Sequence, residues 1–115
     1  MTQPDYQRLQ HIRDYCVAIQ KTIDRYGKDY ATYSTDADYQ RSISFSLFQI
    51  GELSGGLSEE YRKNTAPQIQ WGPMKAMRNI VVHNYGHIDH AIVWETVTND
   101  IPVLLEFCEA QLQTR

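Results

Sequence analysis

The sequence predicts an all-α protein, an antiparallel bundle of four main helices plus a short connector helix, in one domain spanning residues 1–115. Its 115 residues suit a single domain with one hydrophobic core. Apolar residues recur at alternating spacings of three and four, which is typical of helices that bury one face. No segment fits the period-two alternation of apolar and polar residues better than it fits the helical period, so we expect no strands.

The composition excludes several classes of protein. A formal net charge of −3 does not suit a chain that binds nucleic acid over its whole surface, so any binding of nucleic acid must rest on a local patch. Cys16 and Cys108 form no CxxC motif, which indicates reduced core or interface residues of a cytoplasmic protein. The N-terminus does not resemble a signal peptide, and no apolar run approaches the roughly 20 residues of a membrane span.

The first helix is expected to begin near Pro4, with Thr2 or Gln3 as its N-cap, and to end at Gly27. Its apolar stripe consists of Leu9, Ile12, Cys16, Ile19, Ile23 and Tyr26. The segment that follows, Gly27 to Asp36, is predicted to be a polar loop. This helix therefore contributes one face to the bundle core.

The second helix is predicted to run from about Asp36 to Ser54, with Ser34 or Thr35 as its cap and Gly55-Gly56 as its end. Its stripe is Ile43, Leu47, Ile50 and Leu57, widened by Phe45, Phe48 and Leu53. Such a broad apolar surface indicates a second packing partner, for example another subunit.

Gly51 lies inside this helix, where it should permit the close approach of another helix at a cost of about 1 kcal/mol relative to alanine. Glu52 follows it, near the apolar face. Two interpretations of Glu52 stay open: a carboxylate that is solvated or bonded to N–H groups, and an ion-pair partner of Arg78.

The second half of the chain predicts three further helical segments. A short connector helix should follow the cap Ser58 and end near Asn64. The third main helix should start at Pro73. The fourth should start after the N-cap Asp89, and Pro102 should kink or split it near Asn99-Asp100.

The stretch from Trp71 to His90 concentrates the candidate functional residues. On a helical wheel of about 100° per residue, His83 lies roughly 140° from Arg78, on the side of Lys75 and Asn79. Arg78 and His83 can therefore serve one ligand only if they flank a groove. A neighbouring helix or a second copy of the chain could form that groove.

These residue types suit a phosphodiester. The guanidinium of Arg78 offers a charged, planar fork to phosphate oxygens, and the imidazole of His83 titrates near pH 6.5 and can move a proton. RNA cleavage without metal needs only these elements, through attack of the 2′-hydroxyl on its own phosphate, whereas DNA lacks that hydroxyl. The same two residues could instead be an arginine in a surface ion pair and a histidine at the end of a helix. The Arg/His spacing alone is therefore weak evidence for a nuclease.

A metal site is the alternative chemistry. His83, His87 and His90 are spaced by four and three residues, which could bring three imidazoles together. Gly86 breaks the helix that this geometry requires, and Asp89 serves better as a cap. We therefore expect no metal and no cofactor, and we expect His11 to be an ordinary surface residue.

The chain resembles a known family of proteins in several separate segments. Arg78-x-x-x-x-His83-x-Tyr85 matches the signature of HEPN-domain ribonuclease toxins of the HepT type. The segment Phe48-Gln49-Ile50-Gly51-Glu52 resembles the family's Ile-Gly-Glu segment on the second helix. Further similar segments, in the same order, are 71–79, Val93-Trp94-Glu95 and Asp100-Ile101-Pro102. The resemblance therefore covers about the whole chain.

The resemblance implies a homodimer in which the motifs of both subunits face one cleft. It implies a metal-independent endoribonuclease acting on RNA, with His83 as acid/base, Arg78 on the phosphate, and Asn79 and Glu52 in support. It also implies a small nucleotidyltransferase antitoxin of the MntA type, which neutralises the toxin by transferring AMP to Tyr85.

Two departures and one alternative accompany this resemblance. Gly55-Gly56 is expected to shorten the second helix where small helical residues would be typical. Tyr85 could instead be a buried aromatic residue that hydrogen-bonds a helix end. The alternative function is a non-catalytic HEPN-like dimer that binds a nucleotidyltransferase partner or a nucleotide without cutting RNA.

Overall fold

A computed structural model describes residues 1–83 and 88–114, with side chains throughout except at 80–83. Its helices are α1 (Gln3–Tyr26), α2 (Tyr30–Thr35), α3 (Ala37–Gly56), α4 (Glu59–Thr65), α5 (Trp71–His83), α6 (His90–Glu95) and α7 (Ile101–Gln113). A π-helical segment, Thr96–Asp100, joins α6 to α7. The described ranges contain no strand, so the all-α prediction is confirmed.

The first helix has the limits that its sequence predicts. The Thr2 hydroxyl accepts a hydrogen bond from the backbone N–H of Asp5 at 3.1 Å, and the Asp5 carboxylate accepts one from the N–H of Thr2 at 3.5 Å. This reciprocal capping box satisfies two N–H groups that the helix leaves unpaired. Gly27, with φ of 105°, ends the helix, and its N–H donates to the carbonyl of Ile23.

The Asp5 carboxylate also ties α1 to α4. It is 1% exposed and accepts hydrogen bonds from the N–H of Ser58 at 2.8 Å and the hydroxyl of Ser58 at 2.6 Å. Burial acts to raise the pKa of Asp5, but the hydrogen bonds from Ser58 and Thr2 outweigh it and leave this pKa below its usual value. One carboxylate therefore fixes the start of two helices.

The prediction of a polar loop after Gly27 is wrong, because the segment contains α2. Asp29 caps this helix by accepting from the N–H of Thr32 at 3.0 Å, and Tyr33 is completely buried, stacked on Trp94 at a centroid distance of 5.2 Å. A single buried tyrosine gives too little periodicity to mark a helix of six residues.

The predicted cap of α3 is also wrong. The hydroxyls of Ser34 and Thr35 donate to the carbonyl of Ala31 and so close α2. Asp36 caps α3 instead, because its carboxylate accepts from the N–H of Asp38 at 2.9 Å and of Tyr39 at 3.0 Å.

The bundle places α3 between α1 and α5, and α7 packs on α1. α1 and α3 run antiparallel, since Thr22 bonds Ser42 near one end while Arg8 lies against Gly56 at the other. The core includes the predicted stripes of α1 and α3, among them Leu9, Ile12, Cys16, Ile19, Ile43, Leu47, Ile50 and Leu57. Both cysteines are buried and free, as their separation indicated.

The helix limits around the site differ slightly from the sequence-based expectations. α3 continues through Gly55 to Gly56, so the glycine pair does not shorten it. α5 begins at Trp71 rather than at Pro73. Asp89 caps α6 as predicted, accepting from the N–H of Ala91 and Ile92.

The π-helical segment Thr96–Asp100 separates α6 from α7 directly before Pro102, at the place near Asn99-Asp100 where the sequence predicts a kink or a split. Proline has no N–H to donate, and a wider π turn is one way in which a helix accommodates a missing bond without ending. Among the described residues, no helix is both long and apolar enough to cross a membrane. Phe45, on α3, is 57% exposed.

Candidate phosphate-binding cleft

The cleft lies beside a close approach of α3 and α5 at Gly51. A Cβ atom built on Gly51 would lie 2.9 Å from the backbone nitrogen of Arg78 and 3.2 Å from the carbonyl oxygen of Met74. Only a residue without a side chain fits at this distance. The sequence-based expectation for Gly51 is therefore confirmed, and α5 is the helix that it admits.

This contact brings Glu52 to Arg78. The two side chains form an ion pair between Nε of Arg78 and Oε1 of Glu52. Of the two interpretations of Glu52, the ion-pair partner is the one that the structure contains. Both side chains remain about half exposed, at 46% and 45%, so the pair adds at most about 1 kcal/mol to stability.

The geometry leaves most of the guanidinium available to a ligand. Glu52 engages Nε, and the two terminal nitrogens carry four of the five N–H donors of an arginine. Arg78 can therefore keep its ion pair with Glu52 and still offer its terminal N–H groups to a phosphate.

An open cleft of about 660 Å³ surrounds this pair. It is lined by Gly51, Glu52, Gly55, Gly56, Gly72, Lys75, Ala76, Arg78 and Asn79. The cleft therefore combines two cations, one amide and a carboxylate with a surface of small residues. Lys75 and Asn79, which the helical wheel placed on one polar arc, both face it.

The two other principal candidates are His83 and Tyr85. His83 belongs to α5, about 7.5 Å along the axis from Arg78 at 1.5 Å per residue. Its side chain and all of Tyr85 lie outside the described residues. The roles predicted for His83 and Tyr85 therefore stay predictions.

His90, a member of the alternative metal set, has a different role. Its Nδ1 lies 3.0 Å from the hydroxyl of Tyr33, and the two rings pack edge to face. Burial raises the pKa of Tyr33 far above its usual range, so this hydroxyl is neutral and can donate to the imidazole. No group of three candidate metal ligands occurs among the described side chains, which do not include those of His83 and His87. His11 is exposed, as expected.

Sequence reasoning missed one component of the cleft. It read Gly55 and Gly56 as a helix end and gave no role to Gly72, whereas all three line the cleft beside Lys75. A signal was present, since glycines inside a helix usually mark a close approach or an open surface. The pattern could not show that α3 and α5 contribute glycines to one place.

The fold and the cleft together define an all-α bundle protein with a cationic cleft between two antiparallel helices. The family described as "Ribonuclease HepT-like" matches residues 8–111, which is nearly the whole chain. The protein belongs to the HepT-like ribonuclease family.

Individual relatives agree with this assignment. The chain is 29% identical to a "Probable ribonuclease HepT" of Thermococcus cleftensis, over 82% of this chain and 86% of the relative. It is 28% identical to a "Putative RNase" of Caldanaerobacter subterraneus subsp. tengcongensis, over 84% of this chain and 83% of the relative. A "Putative RNase" of Methanocaldococcus jannaschii is 29% identical, over 64% of this chain and 75% of the relative. No solved structure gives a significant match.

Proposed function

We propose that this protein is a metal-independent endoribonuclease whose site comprises Arg78 and His83. The observation that carries the proposal is the Arg78–Glu52 ion pair, which holds a half-exposed guanidinium in an open cleft on the helix to which His83 also belongs. Membership of the HepT-like ribonuclease family supports the reaction class.

The reaction is a transesterification within the RNA strand. The imidazole of His83 accepts the proton of the 2′-hydroxyl, and the resulting oxygen attacks the adjacent phosphorus in line. The bond between phosphorus and the 5′-oxygen breaks, and the imidazolium returns its proton to that oxygen. The products are a 2′,3′-cyclic phosphate and a 5′-hydroxyl, and DNA is not cut.

Each of the remaining residues has a distinct task. Arg78 stabilises the charge that develops on the phosphoryl oxygens, an effect comparable with the roughly 10²–10⁴-fold of acid–base catalysis. Glu52 holds Nε of Arg78, so that the terminal nitrogens present a fixed fork to the phosphate. Asn79, the next residue on α5, offers an amide that helps to position the substrate.

We propose that the active form is a homodimer with both sites facing one groove. Arg78 and His83 lie far apart on the helical wheel, and the cleft in one chain is open to solvent. A second subunit would close this cleft and could also cover exposed apolar residues such as Phe45.

The protein is further proposed to be the toxin of a cytoplasmic toxin–antitoxin pair, with a nucleotidyltransferase of the MntA type as antitoxin. The phenolic oxygen of Tyr85 would attack the α-phosphorus of ATP, forming a Tyr–AMP ester and releasing pyrophosphate. The added anion would occupy the region where Arg78 binds the RNA phosphate and so block it.

Cleavage assays test the proposed nuclease. Wild-type protein should cut RNA in EDTA and leave 2′,3′-cyclic phosphate ends, whereas His83→Ala and Arg78→Ala should lose this activity and remain folded. Cleavage that requires Mg²⁺ would refute the mechanism. RNA that stays intact in every condition, beside a stable complex with the nucleotidyltransferase, would favour the non-catalytic alternative.

Intact-mass analysis after co-expression with the nucleotidyltransferase tests the proposed modification. The mass of the protein should rise by whole AMP units, and Tyr85→Phe should abolish this increase.

A further inference from the structure

We propose that a single strand of RNA leaves the Arg78 cleft along a backbone-binding track that crosses α5 at Gly72 and Lys75 and continues to Arg62 on α4. This RNA track, defined by Gly55, Gly72, Lys75 and Arg62, would hold nucleotides that flank the scissile phosphate. The inference rests on the proposed function, because it assigns the ligand of the track from the reaction in the adjacent cleft.

The track is continuous because two grooves share a border. The cleft of about 660 Å³ around Arg78 and a second groove of about 370 Å³ are both lined by Gly72 and Lys75. The second groove lies between α4 and the start of α5, where its lining includes Arg62 and Gln70. A strand that enters at Arg78 can therefore reach the second groove by passing over Gly72 and alongside Lys75.

Glycines keep the floor of the track open. A Cβ atom on Gly72 would meet nothing within 4 Å, and one on Gly55 would come no closer than 3.8 Å to Lys75. Close helix packing therefore does not account for these two glycines as it does for Gly51. Without side chains they allow a sugar–phosphate backbone to approach the helices closely.

The wall of the second groove does not read bases. Trp71 is only 5% exposed, and its indole N–H donates to the buried hydroxyl of Thr65 at 2.8 Å. Its ring also packs edge to face on Phe107. A tryptophan fixed in this way is no platform for stacked bases, so we assign the track to the phosphates of the strand.

The charges along the track favour phosphate. Lys75 is exposed and has no ion-pair partner among the described residues. The Nε of Arg62 donates to the carbonyl of Leu57 at 3.2 Å, which leaves its terminal nitrogens for a ligand. The nearby acids are already paired, Glu52 with Arg78 and Glu59 with Lys63. Lys75 and Arg62 therefore give a local excess of positive charge in a chain whose net charge is −3.

The spacing and the surface also agree with a nucleic acid strand. Lys75 and Arg78 are three residues apart on one helix, which places their Cβ atoms about 5–6 Å apart. Neighbouring phosphates of one strand are at least ~3.4 Å apart along its axis, so the two cations can serve adjacent or nearby phosphates. The junction of the two grooves, at Gly72 and Lys75, offers a cation and no apolar side chain, although the second groove also contains apolar residues such as Ile69. The centre of a docking surface for a protein is instead apolar or aromatic.

Binding of RNA that cannot be cut tests the track separately from the nuclease. Full-length protein is titrated into 2′-O-methyl oligonucleotides of four and ten nucleotides, and fluorescence anisotropy is followed between 50 and 200 mM salt. The variants are Lys75→Gln, which removes one cation, and Gly72→Glu, which places an acid in the open floor. Glutamate in the first turn of α5 favours the helix, so a loss of binding would not reflect unfolding.

Lys21→Gln is the matched control. Lys21 is an exposed lysine of α1 beside Thr22, at the end of the bundle opposite Gly56.

We expect wild-type protein to bind the decamer more tightly than the tetramer. Lys75→Gln should weaken decamer binding about threefold or more and should lower the slope of log affinity against log salt by about 0.7, the value for one phosphate contact on a single strand. Gly72→Glu should remove the advantage of the decamer, and Lys21→Gln should bind as wild type does.

The outcomes separate the two proposals. Wild-type affinity and salt slope in both track variants would overturn the track, even if the protein cuts RNA. Equal weakening by Lys21→Gln would also overturn it, since binding would then reflect net charge alone. A protein that shows the expected binding pattern but never cuts unmodified RNA would retain the track and refute the nuclease.

Discussion

Replacing Gly51 with alanine places a methyl group where α3 and α5 touch. The new Cβ would lie 2.9 Å from the backbone nitrogen of Arg78, 3.0 Å from its Cβ and 3.2 Å from the carbonyl oxygen of Met74. None of these three atoms can move by a side-chain rotation, so α5 itself must shift by several tenths of an ångström. Overpacking of this kind costs about 1–3 kcal/mol, and alanine recovers about 0.5–1 kcal/mol of helix propensity.

The net loss of stability, taken between the middles of these two ranges, should therefore be about 1 kcal/mol, measured by urea unfolding of the full chain. Gly72→Ala is the matched control, because the same methyl group on α5 would meet nothing within 4 Å and should leave stability equal or slightly higher. Gly51→Ala should also lower RNA cleavage by more than its loss of stability explains, because the shift moves Arg78 relative to Glu52. If both variants were equally or more stable than wild type, the close approach at Gly51 would be wrong.

Three further variants or measurements test other contacts. Glu52→Gln should change the free energy of unfolding by less than about 1 kcal/mol, since the ion pair is half exposed. It should lower the kcat of RNA cleavage, because Arg78 loses its fixed orientation. An unchanged kcat would contradict the role of Glu52 in orienting Arg78. Asp5→Asn should destabilise the fold by about 1–3 kcal/mol at pH 7. The pKa of Asp5 is lower in the folded protein, so the ionised carboxylate contributes to the free energy of unfolding above pH 3.8, and this contribution is lost as the pH falls through the folded pKa. The stabilities of wild type and Asp5→Asn should therefore converge at acid pH. Burial raises the pKa of both thiols, that of Cys108 to about 12, so neither cysteine should react with iodoacetamide at pH 8 until urea unfolds the chain.

The sequence could predict the elements whose cause is local. The cap at Thr2, which was one of two candidates, the stop at Gly27 and the cap at Asp89 each depend on residues a few positions apart. The α2 helix could not be predicted in this way. It exists because Tyr33 packs against Trp94 and bonds His90, and these partners lie about sixty residues further along the chain.

The same distinction applies to the candidate site: features within one helix could be predicted, whereas contacts between helices could not. Arg78 and Asn79 could be named from the types of residue in α5 and from a family resemblance. The partner of Arg78 could only be narrowed to two interpretations, because Glu52 belongs to another helix and a helical wheel describes one helix at a time. Gly51 resolves the choice physically, since a helix contact too close for a Cβ atom places the next residue within reach of Arg78.

The same contact explains how a chain with net charge −3 could still bind RNA. Acids beside the cleft are not simply repulsive, because Glu52 and Glu59 are each held by a cation. Because Glu52 holds Nε of Arg78 and partly neutralises the guanidinium, a phosphate bound at the terminal nitrogens of Arg78 gains only a modest electrostatic free energy. Binding should then depend on several phosphates acting together, at Arg78 and along Lys75, rather than on one strong contact. A single phosphate ion should accordingly compete poorly with an oligonucleotide for this cleft.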